Sequence, residues 1–110
     1  MARTPTTYDP FNAVAEPKRR QVLEALGRQE LSVNEIVKKL GWTQPMVSKH
    51  LGVLKQVGLV KERRSGRQRL YQVDAAQLKP IFDWVSPFER FWSDKFDRLD
   101  QLLEEMKKEK

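Results

Sequence analysis

In TQPMVSKHLGVLKQVG, residues 43–58, Thr43 can cap a helix, Pro45 lies in its first turn, and Gly58 offers a left-handed exit after about Val57. At roughly 100° per residue, Val47, Leu51 and Leu54 fall on one stripe of that helix, while Gln44, Ser48, Lys49 and Lys55 fall on the opposite arc. One side suits a core and the other suits something outside the protein. Glutamine can pair with adenine through two hydrogen bonds, serine can bond a base edge or a phosphate, and lysine can reach guanine acceptors or a phosphate. Taken alone, the same pattern fits an ordinary amphipathic helix with a solvated face.

Working outward, Ser32 and Glu35 form a capping box ahead of Ile36, Val37 and Leu40, and Gly41 stops that helix. Two helices joined by a tight glycine turn make a helix-turn-helix. Upstream, a helix is predicted from Pro17 to Leu26, with Val22, Leu23 and Leu26 on one face, after a short apolar turn from Asp9-Pro10 through Phe11 and Val14. Downstream, LVKERRSGRQRLYQV (59–73) changes period: Leu59, Leu70, Tyr71 and Val73 flank a charged middle, and Ser65-Gly66 sits where a hairpin reverses. Its tip gathers Arg63, Arg64, Arg67 and Arg69, which can reach phosphates or a narrow minor groove, or simply keep a hairpin soluble. Beyond Asp74 the pattern returns to helix, and SPFE at 86–89 reads as a capping box opening a long last helix. The expected fold is mainly α with a small β-hairpin wing.

The chain has 110 residues, enough for one small domain, with 21 Lys and Arg against 15 Asp and Glu. Its net charge of +6 is concentrated in residues 41–73, where seven basic residues face one acidic residue. That is the footprint of a polyanion-binding segment, with a solvated basic surface as the plainer alternative. The absence of cysteine excludes disulfides and thiolate metal sites, and no run approaches the roughly 20 apolar residues that span a bilayer. A soluble, cytoplasmic protein without membrane attachment is expected, since MARTPTTYDP lacks the apolar core of a signal peptide. Without a nucleophile-base constellation or a glycine-rich phosphate loop, an enzyme is not expected.

The runs AVAEPKRRQVLEAL and LSVNEIVKKLGWTQPMVSKHLGVLKQVGLVKERRSGRQRLYQV resemble the winged-helix repressors of the ArsR family over about residues 11–85. The resemblance implies a winged helix-turn-helix regulator of transcription that binds double-stranded operator DNA as a homodimer and acts as a repressor. It places Gln44, Pro45, Ser48, Lys49 and His50 at or near the DNA, so the expected contact set is Thr43, Gln44, Pro45, Ser48, Lys49 and His50 with Arg63, Arg64, Arg67 and Arg69 of the wing. His50, beside the apolar stripe, fits a structural histidine equally well. Many relatives sense metals through cysteines on the helix that here reads SVNEIVKKL, or through His and acidic residues on the last helix; neither set exists here. No metal or cofactor is expected.

The stretch IFDWVSPFERFWSDKF carries more aromatic surface than one helix of a small domain buries against its own core. Phe88, Trp92, Leu99, Leu102 and Met106 occupy heptad a and d positions, Phe96 and Leu103 widen the stripe, Lys95 interrupts it, and Phe91 is counted with the interface residues. A dimer held by terminal helices is expected, with residues 9–85 as the winged-helix core, 86–110 as the dimerisation helix, and Phe11 and Val14 beside the seam. An aromatic-lined cleft for an apolar small-molecule effector is the alternative use. A winged-helix module binding protein or RNA without operator specificity is the alternative function.

Overall fold

Short-range caps place the helices. In the structure, a computed structural model describing residues 9–108 apart from the side chains of 93–99 and 108, the Asp9 carboxylate accepts from the Phe11 amide at 2.8 Å and opens α1 (Pro10–Ala15). Glu16 does the same for α2 (Pro17–Leu26), accepting from the Lys18 amide. Arg19 and Arg20 then donate to the last carbonyls of α1, those of Ala13 and Val14 included, at 2.7 and 2.6 Å, satisfying acceptors that the helix leaves open. After a two-residue strand β1 (Leu31–Ser32), the capping box of α3 (Val33–Leu40) is reciprocal: Ser32 Oγ accepts from the Glu35 amide and the Glu35 carboxylate from the Ser32 amide. Gly41 reverses the chain at φ 71°, a left-handed conformation that costs glycine nothing. Thr43 then caps α4 (Gln44–Gln56) through the Met46 amide.

The wing is β2 (Val60–Ser65) and β3 (Gln68–Val73), antiparallel from Val60 opposite Val73 to Ser65 opposite Gln68. Its two-residue turn is Gly66–Arg67, one position later than the sequence pattern indicates, with Gly66 at φ 64° in the first central place as a type II′ turn requires. β1 adds a third strand in the order β1-β3-β2, pairing Leu31 with Tyr71 and Ser32 with Leu70. Val22, Leu26, Ile36, Val47, Leu51, Leu54 and Leu59 are fully buried, so α2, α3 and α4 share one core with the root of the wing. Burying such aliphatic side chains stabilises the fold by about 1.5–3 kcal/mol each.

After Asp74 the chain forms a 3-10 turn (Ala75–Leu78), α5 (Lys79–Val85), a second 3-10 turn (Ser86–Phe88) and α6 (Glu89–Lys108). The expected capping box at 86–89 does not form. Val85 is already helical at φ −85° and ψ −27°, so Ser86 lacks the extended backbone of an N-cap, and its hydroxyl donates to the Asp83 carbonyl at 3.4 Å. The chain divides into two compact units, Met1–Pro80 and Ile81–Lys110. No described helix is long and apolar enough to cross a membrane.

Candidate nucleic-acid interface

The two sides of α4 separate as its periodicity requires. Val47, Leu51 and Leu54 are buried, while Thr43, Gln44, Pro45, Ser48 and Lys49 are exposed on the outer arc. Gln44, at the start of that arc, lines a cleft of about 300 Å³ together with Asn34 of α3 and Arg67, Gln68 and Arg69 of the wing. The first turn of the helix and the wing therefore border one polar, cationic hollow. Sequence patterns do not single out Asn34 and Gln68; their only local mark is proximity to the Ser32 cap and to the turn at Gly66.

Strand alternation sorts the wing arginines by face. Arg64 and Arg69 lie directly opposite each other in the ladder, on the face that also carries Val60, Glu62, Tyr71 and Val73. Like charges in directly opposed positions are locally unfavourable; a carboxylate of the same face relieves Arg69, and a bound anion would relieve Arg64. Between this pair and the core stands Glu62. Its carboxylate accepts from the Tyr71 hydroxyl at 2.8 Å and from Lys55 Nζ at 3.2 Å, and it lies 3.7 Å from the Arg69 guanidinium. The Tyr71 hydrogen bond, with Lys55 and Arg69 behind it, holds the Glu62 carboxyl below the ordinary carboxylate value, while burial and Glu62 itself push the Tyr71 hydroxyl up.

Two residues of the expected contact set are engaged within the chain. Arg63 points to the other face of the sheet from Arg64, and its guanidinium makes a two-pronged bond to Glu30 at 2.6 and 2.9 Å. That hydrogen bond holds the Glu30 carboxyl low and raises Arg63. Arg63 is thus a strut between β2 and the residue preceding β1, set apart from Arg64, Arg67 and Arg69. His50 is only 6 % exposed, turned inward with its ring at an edge to Trp42, the centroids 6.2 Å apart, and its Nδ1 buried without a hydrogen-bond partner. Lys18 of α2 covers the other ring of that pair, 5.9 Å from the centroid of Trp42.

Burial, followed by the charges of Arg19 and Lys49, pushes the His50 imidazole below its ordinary value of 6.5. The unfolded chain then binds this proton more readily than the fold, so stability should be complete above about pH 6.5 and decline as the pH falls below it. The lowered carboxyls of Glu30 and Glu62 act only below their ordinary value of 4.5, which leaves pH 7 to 5 as a window for His50. We expect the melting temperature to fall across that window and the fall to flatten in His50→Leu; an equally steep fall in the variant would contradict this assignment.

In the second unit, Phe88, Phe91, Trp92, Leu102, Leu103 and Met106 are each at least 40 % exposed. The rings of Trp84, Phe88 and Phe91 run as a ladder with centroids 5.5 and 6.3 Å apart. The side chains of Phe96 and Leu99 lie outside the described residues. In the first unit Phe11 is 40 % exposed, whereas Val14 packs partly buried against the core.

Comparison with known proteins identifies the family. The profile of the family described as bacterial regulatory protein, arsR family, matches residues 16–62. The chain is 34 % identical over 94 residues to the HTH-type transcriptional regulator Rv2034 of Mycobacterium tuberculosis, a match covering 86 % of this chain and 85 % of the other. It is 27 % identical over 78 residues to the transcriptional repressor SdpR of Bacillus subtilis, covering 71 % and 87 % of the two chains. Among solved structures, an ArsR-like transcriptional regulator from Rhodococcus sp. RHA1 superposes with a TM-score of 0.64 at 25 % identity, over 84 % of this chain and 87 % of that one. The family profile spans the helix-turn-helix and runs into β2, the segment that holds the exposed arc of α4 and the Glu62 carboxylate. With its caps, turn and two-stranded wing in this order, the chain belongs to the ArsR family of winged helix-turn-helix transcriptional regulators.

Proposed function

We propose that the protein represses transcription by seating α4 in the major groove of an inverted-repeat operator, with the wing laid along the flanking backbone and two copies related by a two-fold axis. The observation that carries this reading is the shared hollow of Gln44, Arg67 and Arg69, which sets a residue able to read a base edge beside two guanidinium groups suited to phosphates. Thr43, Pro45, Ser48 and Lys49 extend the contact along α4, and Arg64 opposite Arg69 extends it along the wing. The exposed arginines of the wing favour an anionic partner, which duplex DNA supplies along its whole backbone, and the major groove of an RNA duplex is too narrow for α4.

The two-fold axis is supported by an apolar stripe that begins at Phe88, in the 3-10 turn before α6, and continues along α6 through Trp92, Leu102 and Met106 at heptad spacing, all exposed in the single chain. Phe91 and Leu103 widen that seam, Phe96 and Leu99 belong to it by sequence, and Phe11 and Val14 of α1 are its proposed neighbours. We read the protein as acting without a transition metal, because it has no cysteine and its lone imidazole is turned into the core. Any apolar effector would act through the Trp84, Phe88 and Phe91 ladder, and only by binding the DNA-competent and incompetent states unequally.

The reading is tested by titrating duplex DNA at several salt concentrations. Replacing Arg64 and Arg67 together by alanine should weaken binding to every sequence and flatten the log–log salt slope by about 0.9 for each phosphate that is no longer neutralised. Gln44→Ala should leave the slope in place and change sequence preference, at a cost of about 1–3 kcal/mol at one base pair. An unchanged slope in the double arginine variant would place the DNA backbone elsewhere.

A further inference from the structure

Glu62 is the sole carboxylate among residues 41–73, set among seven Lys and Arg. A negative charge on that face opposes a polyanion, so its presence calls for a compensating gain. Its side chain is 18 % exposed, and its three partners come from different places: Lys55 from the last turn of α4, Tyr71 and Arg69 from β3. Tyr71 belongs to the core cluster and lies opposite Glu62 in the ladder, so the carboxylate is held from beneath by a group that cannot easily move. The carboxylate joins the end of the helix to both strands of the wing; it takes up Lys55, which would otherwise meet any phosphate within reach, and limits where Arg69, 3.7 Å away, presents its guanidinium to one.

We propose that Glu62 is a positioning residue for DNA recognition, which fixes the wing against α4 and restrains Lys55 and Arg69, so that affinity for random DNA is surrendered in exchange for discrimination. The proposal rests on the reading of this face as a DNA interface. Phosphate contacts raise affinity for every sequence alike, whereas base contacts from Gln44 and Ser48 discriminate only while helix and wing hold one register on the duplex. Specificity is a difference of affinities, and lowering the general term serves it as well as raising the specific one. A Glu62 that merely stabilised the fold would shift both terms in parallel.

The test compares full-length wild type, Glu62→Gln and Tyr71→Phe on a duplex enriched from a random pool by the wild type and on a scrambled duplex of the same length. Glutamine keeps the shape and an acceptor for Tyr71 but removes the charge. It should bind the scrambled duplex about threefold more tightly, with a steeper salt slope, and its ratio of affinities should drop about tenfold. Tyr71→Phe keeps the ring and the carboxylate charge; it should lower the ratio without tightening the scrambled complex. An unchanged ratio in either variant, or a parallel loss on both duplexes, would overturn the role given to Glu62. A wild type that enriches no sequence would instead remove the DNA reading on which the proposal rests.

Discussion

Ending the chain at Ser86 should leave a product that no longer sediments as a dimer and binds its operator about a hundredfold or more weakly, because the two half-sites can no longer be engaged together. The expectation follows from α6. A helix that leaves Phe91, Leu102 and Met106 more than half exposed presents an apolar face that water does not favour and a second copy can cover. Replacing Leu102 and Met106 together by aspartate tests the same seam with the chain length kept, and should reproduce both losses. A truncated or doubly substituted protein that stays dimeric, or a full-length monomer that binds a single half-site at full affinity, would remove α6 from this role.

Leu54→Ala should destabilise the protein by about 2–5 kcal/mol, since it opens a cavity at a fully buried site behind the reading helix. For a domain of this size that amounts to a fall in Tm of roughly ten degrees or more. Leu54 belongs to a helix packed against both α2 and β2, so the surrounding elements cannot close on the gap without tilting α4. Ser48→Ala, one exposed residue on the same helix, should leave stability within about 0.5 kcal/mol and alter sequence preference instead. Urea unfolding of the two variants measures the contrast, and a cost below about 1 kcal/mol at Leu54 would mean that the helix is not anchored from behind as described.

What is legible in the sequence is local. Asp9, Ser32 with Glu35, Gly41 and Thr43 each act on a backbone group within four residues, and each is where its spacing places it. The inner stripe of Val47, Leu51 and Leu54 is legible for the same reason, since helical periodicity needs no knowledge of the partner surface. The failures are contacts between residues far apart in the chain. β1 has two residues and exists because Leu31 and Ser32 meet Tyr71 and Leu70 about 40 positions later. The Arg63 to Glu30 pair and the Glu62 junction are likewise set by register between segments, which composition does not reveal. Strand alternation alone is enough to separate Arg63 from Arg64; grouping the arginines by proximity to Gly66 conceals that parity. At Ser86 the letters S-P-F-E match a capping box, yet a preceding helix has already set the backbone, and a local signal yields to its neighbour.

The most direct measurement is selection of bound sequences from a pool of random duplexes by the purified full-length protein. The enriched set should be an inverted repeat whose half-sites lie about 10 base pairs apart centre to centre, on one side of the duplex, with preference at individual positions lost in Gln44→Ala and Ser48→Ala. A pool that returns unenriched, or an enriched sequence that is indifferent to both substitutions, would contradict the reading of α4 as the helix that recognises the operator.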